Sequence, residues 1–173
     1  MDINRHDTQL VIYDLQNRLI TKKKVDIPLE DSPLFLEQLF TETHEFLTAH
    51  HITHQQLWGI GVTMPGLINS VHGFNLTYPN LTPKNVPLSR YLTEHFNLPT
   101  YLFNDTKATT IGEHRFGLAM NKSQVLTINI DWGVGLGIII NGELFNGTSG
   151  FAGELGHIQV KPDGILCHCG KIG

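Results

Sequence analysis

The chain has 173 residues, 40% of them hydrophobic and 16% charged, with a formal net charge of -4. This composition describes a soluble globular protein rather than a disordered one, and it leaves no basic surplus of the kind that binds nucleic acid. No apolar run approaches the ~20 residues that cross a bilayer and no signal-peptide pattern opens the chain, so no membrane partner is expected. The length suits one ordinary domain, or one lobe of a larger fold with part of a second. Cys167 and Cys169 are separated by one residue, a spacing at which two cysteines do not readily bridge each other. Thiols of this kind fit the cytoplasm, where the acceptor-like triplets at Asn75 and Asn80 are chance.

In chain order, Leu10 to Asp14 is apolar and β-favouring, Gln16 to Arg18 reads as a turn, and residues 19–27 return as the second strand of a hairpin. Lys22, Lys23 and Lys24 could bind an anion, but an edge strand kept from further pairing by its lysines is the preferred reading. Ser32 and Pro33 mark a helix start, and Leu36, Leu39, Phe40, Thr43 and Leu47 recur at helical spacing to about residue 50. The histidines on and after this helix (His44, His50, His51, His54) read as solvated positions. A buried strand over 57–63 leads into the loop Met64-Pro65-Gly66, at the strand end where open α/β sheets bind ligands. The Gly-, Asn- and Pro-rich stretch to residue 87 is mostly loop. A short helix over 89–96 and a strand over 99–103 follow, and that strand delivers Asn104 and Asp105 to a helix over 106–116, with Gly117 as its stop. Strands over 125–130, 133–141 and 143–145 then form a meander, with Asn141-Gly142 as a hairpin turn.

The last stretch concentrates the chemistry. Glu154, His157, Cys167 and Cys169 place one carboxylate, one imidazole and two thiols close in sequence. Zinc takes sulfur and nitrogen ligands in a tetrahedral set of four, and His157, Cys167 and Cys169 offer three. His168, lying between the two cysteines, is expected to point away.

Several segments together resemble the ROK family of repressors, open reading frames and sugar kinases. They are Gly61-Val62-Thr63-Met64-Pro65-Gly66, Asn104-Asp105, Gly133-Val134-Gly135-Leu136-Gly137, Gly150 through His157, and Cys167-His168-Cys169-Gly170, which is similar to the start of a zinc knuckle. The resemblance implies an α/β, actin-like ATPase (ribonuclease H-like) N-terminal lobe over 1–120 and the beginning of a second lobe over 121–173, cut within the zinc knuckle. Sugar would bind in the cleft between lobes. Zinc is then expected in the complete protein and weakly or not at all here, since the family pattern continues past Gly173.

The family's kinases cradle ATP phosphates on an Asp-Ile-Gly-Gly-Thr turn and a Gly-Thr-Gly-x-Gly turn, where glycine lets backbone N–H groups come close. The corresponding stretches here are Asp2-Ile3-Asn4-Arg5-His6 and Asp131-Trp132-Gly133-Val134-Gly135, so ATP binding is expected to have been lost. On the sugar side, Asp105 stands at the place of the kinase general base, but it can also accept a hydroxyl hydrogen bond without reaction. Asn104, Glu154, His157 and Gly66 complete the expected sugar residues, with His157 shared between sugar and metal. Asn104-Asp105 could instead be a helix N-cap pair, and Glu154 a surface carboxylate.

The main expectation is therefore a sugar-sensing portion of a repressor, nearest to the N-acetylglucosamine and xylose repressor group. It would bind a hexose or amino sugar, touch DNA only through a domain outside this chain, and form a homo-oligomer. An ATP-dependent sugar kinase is the second reading. A chain that only folds or associates with itself is the third.

Overall fold

A computed structural model describes residues 1–131, 133–167 and 169–172. The readings that fell on Trp132, His168 and Gly173 lie outside the described residues. Two units result, Met1–Asp105 and Thr106–Gly173.

The first unit is built on strands β1 (Asp2–Ile3), β2 (Thr8–Tyr13) and β3 (Leu19–Val25), followed by helix α1 (Pro33–Ala49) and strand β4 (Ile60–Met64). The short strands β5 (Ile68–Asn69) and β6 (Phe74–Asn75), helix α2 (Leu88–Phe96) and strand β7 (Thr100–Asn104) complete it. Its sheet runs β3-β2-β1-β4-β7, with β4 parallel to both β1 and β7 and the hairpin strands antiparallel. Alternation decides which face is covered: Leu10, Val62, Met64 and Leu102 are buried, while Gln9, Gly61 and Tyr101 are exposed.

The buried face is met by Phe35, Leu36, Leu39, Thr43, Phe46 and Leu47 of α1 and by Leu88, Leu92 and Phe96 of α2. Both sets follow the helical period that puts residues three and four apart on one stripe. Ser32 has the extended backbone of an N-cap, but its hydroxyl makes no capping bond and is buried without a partner. The helix start rests on Pro33 rather than on the expected serine cap. The lysine run lies on edge strand β3, where Lys23 pairs with Glu42 at 2.6 Å and Lys24 with Asp7 at 2.7 Å.

Three short strands had no clear sequence signal. Strand β1 is only two residues long, and the β5–β6 ladder sits in the stretch expected to be mostly loop.

The second unit opens on Thr106 within helix α3 (Asp105–Phe116) and continues as strands β8 (Gln124–Ile130), β9 (Val134–Ile140) and β10 (Glu143–Leu144). These form the expected meander, ordered β10-β9-β8. Asn141 (φ 54°) and Gly142 (φ 81°) make the hairpin turn, both in the left-handed region that Asn and Gly tolerate best. The glycines of β9 serve packing. A Cβ on Gly135 would stand 2.2 Å from Thr106 Oγ1, and one on Gly137 would stand 1.7 Å from Thr110 Oγ1. The strand therefore lies against the helix at a distance only glycine permits.

Candidate functional site

In the first unit, the carboxyl ends of the parallel neighbours β4 and β7 are in register, with Met64 opposite Asn104. The loop that leaves β4 turns at Gly66, whose φ of 101° favours glycine. A Cβ there would stand 2.7 Å from the Cβ of Thr77, so the segment just after β6 already accounts for the glycine. Asn104 Nδ2 donates to the Gly66 carbonyl at 3.2 Å, tying the end of β7 to this loop.

The centre of the loop is Asn75, which the sequence offers only as part of a chance acceptor-like triplet. Its side chain is buried, donates to Pro65 O at 3.1 Å, and accepts from the N–H groups of Thr77 at 2.9 Å and Tyr78 at 3.1 Å. An asparagine between Phe74 and Leu76, in a stretch rich in Gly, Asn and Pro, gives no periodic signal. The loop chemistry of Asn was the only cue, and it is shared by every asparagine nearby.

The turn between β1 and β2 is closed on itself. Asn4 Oδ1 accepts from the N–H of His6 at 2.9 Å and of Asp7 at 3.0 Å, while Asn4 Nδ2 donates to Asp7 Oδ1 at 2.5 Å. The Asp7 carboxylate also takes Lys24 at 2.7 Å. That lysine, helped by Asn4, holds the Asp7 carboxyl below the usual carboxylate range against a smaller opposing effect of burial. Two amides that could have faced an anion are thus spent on a side chain of the turn.

The second unit gathers Glu154, His157, Cys167 and Cys169. The loop carrying Glu154 lies directly on β9: Leu136 N–H donates to Gly153 O at 3.1 Å, and a Cβ on Gly153 would stand 1.8 Å from Leu136 O. Gly156 repeats this, with its would-be Cβ 2.5 Å from Val134 O. Residues 155–157 then form one 3-10 turn that presents His157.

His157 is placed between two chemistries. Its Nδ1 is 3.9 Å from Cys167 Sγ, and its Nε2 is 3.7 Å from Glu154 Oε2. Cys167 and Cys169 sit on a tight turn in which Cys167 N–H donates to Lys171 O at 2.8 Å and Gly170 N–H to Cys167 O at 2.9 Å. Gly170 supplies the positive φ of 84° that this turn needs. One ligand atom each from His157, Cys167 and Cys169 all fall within 4.8 Å of one another, forming a group that could hold a metal ion. Tetrahedral zinc with bonds of about 2.0–2.3 Å requires ligand atoms roughly 3.5–3.8 Å apart, so the donor set fits with small adjustments. The second ring nitrogen faces a carboxylate, the usual outer partner of a metal-bound imidazole.

Gly66 and Asn104 are therefore brought together in the first unit, with Asp105 next in sequence. Glu154, His157, Cys167 and Cys169 are brought together in the second. Lys107 is a further residue that the sequence reading did not single out. It is 9% exposed, and its Nζ donates to Asn146 Oδ1 at 3.2 Å and to the carbonyl of Gly150. A lysine in an amphipathic helix is ordinarily solvated, which is why it drew no notice.

Known proteins share this fold. A solved ROK family transcriptional regulator, a homolog of the Escherichia coli Mlc protein, superposes with a TM-score of 0.83 at 33% identity, over 100% of this chain and 44% of that one. The solved ROK glucokinase of Streptomyces griseus, in complex with glucose and AMPPNP, gives a TM-score of 0.80 at 29% identity, over 99% of this chain and 53% of its own. The xylose repressor of Bacillus spizizenii is 32% identical over 163 residues, which are 94% of this chain and 42% of the repressor. The chain thus spans about half or less of the length of these proteins. The α/β, actin-like architecture expected from the sequence is the one these solved relatives have. With the ROK profile matching residues 1–173 throughout, the chain belongs to the ROK family.

Proposed function

We propose that this chain is the sugar-sensing portion of a ROK-type transcriptional repressor, binding a hexose or amino sugar. The observation that carries this reading is the closed β1–β2 turn. In a kinase that turn must offer backbone N–H groups to phosphate; here Asn4 Oδ1 takes those of His6 and Asp7, and an aspartate stands beside them. A carboxylate next to a polyphosphate is repulsive without an intervening cation. The sugar-side residues keep their polar groups, and the similarity to repressors supports the same choice.

In this reading Asp105 and Asn104 accept from and donate to sugar hydroxyls beside the Gly66 loop, and Glu154 accepts from further hydroxyls. His157, Cys167 and Cys169 hold zinc, which when bound would fix the 154–171 segment as one rigid piece. Residues 1–120 act as the N-terminal lobe and 121–173 as the start of the second. DNA contact is assigned to parts of the repressor relatives' length that this chain does not span. A cytoplasmic homo-oligomer is the matching whole-protein state.

Sugar can bias such a protein only by binding one conformation more tightly than another. Calorimetry of the intact protein against glucose, xylose and N-acetylglucosamine should show saturable binding that weakens on Asp105→Asn; an absence of binding across this panel would refute the reading. The sugar-kinase alternative draws on Asp105 and on the glucokinase likeness. A coupled ADP-release assay decides it, since turnover that disappears in Asp105→Ala would establish a kinase.

A further inference from the structure

We propose that Lys107 is the positioning residue that fixes the 146–154 loop and so presents Glu154 to its ligand. The inference rests on the sugar-sensing reading for the ligand, and on the second unit's own geometry for the loop.

The loop is poorly suited to hold a shape alone. Gly147, Gly150 and Gly153 all have positive φ, at 69°, 83° and 99°. Glycine gives up more conformational freedom on ordering than any other residue, so three in one short loop make its fixed form costly. The backbone bonds inside it are few. Ala152 N–H donates to Asn146 O at 3.0 Å, and Gly150 N–H reaches Gly147 O only at 3.5 Å. The far end is pinned to β9 through Gly153 O.

Lys107 supplies the tie in the middle. It comes from the first turns of α3, whose Thr106 and Thr110 are seated against Gly135 and Gly137 of β9. From that rigid base its Nζ holds both the Asn146 side chain and the Gly150 carbonyl. The loop is thereby fastened at its start, its middle and its end. Burial pushes the Lys107 ammonium down from its ordinary range, and the Glu154 carboxylate acts in the opposite sense. Keeping a lysine buried is unfavourable unless its donors and charge are matched, and this loop provides carbonyl, amide and carboxylate together. A residue of such cost at the base of the proposed ligand loop is explained by what it orders.

The test compares the full 173-residue chain with Lys107→Met, which keeps length and loses donors and charge, and with Asn146→Ala, which leaves the lysine and Gly150 in place. Hydrogen exchange of the 147–153 amides without sugar should accelerate at least tenfold in Lys107→Met and about threefold in Asn146→Ala, with the β8 and β9 amides unchanged. Affinity for whichever of glucose, xylose and N-acetylglucosamine the wild type binds should fall in the same order, by tenfold or more for Lys107→Met. Unchanged loop exchange would overturn the proposal. So would faster exchange spread evenly over the second unit, or faster loop exchange with undiminished affinity. If Lys107→Met shows no cooperative melting, Asn146→Ala decides on the same criteria. A wild type that binds none of the three sugars removes the sugar-sensing reading instead, and the exchange result alone then upholds or overturns the loop tie.

Discussion

At the scale of single residues, His157 joins a carboxylate to a thiol pair through the two nitrogens of one ring, at 3.7 and 3.9 Å. As a candidate ligand it was legible in the sequence because zinc chemistry restricts the donors so strongly, and Cys-x-Cys with an upstream histidine is a short pattern. Lys107 and Asn75 were not legible, since nothing local marks a lysine or an asparagine for burial; tertiary packing decides it. Cobalt titrated into the chain should give a thiolate charge-transfer band, and the cobalt affinity it reports should fall at least tenfold in His157→Ala and in Cys167→Ser. Glu154→Gln should lower that affinity by about 10–100-fold, as loss of an outer partner does. An undiminished cobalt affinity in His157→Ala would contradict the assignment. Asp7 gives a second, pH-based expectation. Its carboxyl is held low in the folded state chiefly by Lys24, so the unfolded state binds its proton first. The stabilisation is present above the unfolded value of about 3.9 and is lost as pH falls through the lower folded value. Acid unfolding of Asp7→Asn should therefore differ from wild type at pH 5 and above, and the two should converge as the pH falls through the lowered folded value. The gap should be small, because Lys24 is 60% exposed and solvent screens the pair.

At the scale of elements, helices α1 and α2 and most strands were legible because a buried stripe or an alternating face is written in the order of apolar residues. The short strands were not: two-residue ladders such as β1 and β5 are too brief for any period to show. The glycines of β9 illustrate how one sequence signal can carry two meanings. The family resemblance puts Gly133 and Gly135 in a degenerate phosphate turn over 131–135, with Gly137 in the same glycine run. In the structure Gly135 and Gly137 lie in the strand and make room for Thr106 and Thr110, while Gly133 meets open space. Thr110 is fully buried and bonded to Thr106 O at 2.7 Å, so it has little freedom to move aside. Gly137→Ala should therefore destabilise the chain by about 1–3 kcal/mol, the usual cost of overpacking. Adding Thr110→Ala should restore more than half of that loss, because the two changes act on one space. Additive losses in the double variant, measured by denaturant unfolding, would show that the glycine serves something other than this contact.

At the scale of the whole molecule, the fold does not separate sensor from kinase. A regulator and a glucokinase superpose on the chain almost equally well, with TM-scores of 0.83 and 0.80. Function is set by sites placed on a shared frame, and the proposal of a sensor rests on one turn of a few residues. Where a kinase turn has to leave N–H groups facing the nucleotide, the Asn4 side chain folds back and uses two of them. This closure was half legible: the missing glycines could be read from the sequence, but the internal capping by Asn4 could not. Ligand linkage turns the distinction into a measurement. A ligand that binds only the folded state at a hundredfold excess over its Kd adds about 2.7 kcal/mol of stability. Titrated to saturation, a cognate sugar should raise the melting temperature of the intact protein by several degrees. ATP with magnesium, at millimolar concentration, should leave it unchanged, both alone and on top of the sugar. A nucleotide-dependent rise would mean that the Asn4 turn opens to admit phosphate. In that case Asn4→Ala, which frees the His6 and Asp7 amides, should enlarge the nucleotide shift. A closed turn predicts no shift in wild type and at most a weak one in that variant, because the Asp7 carboxylate still opposes the phosphate.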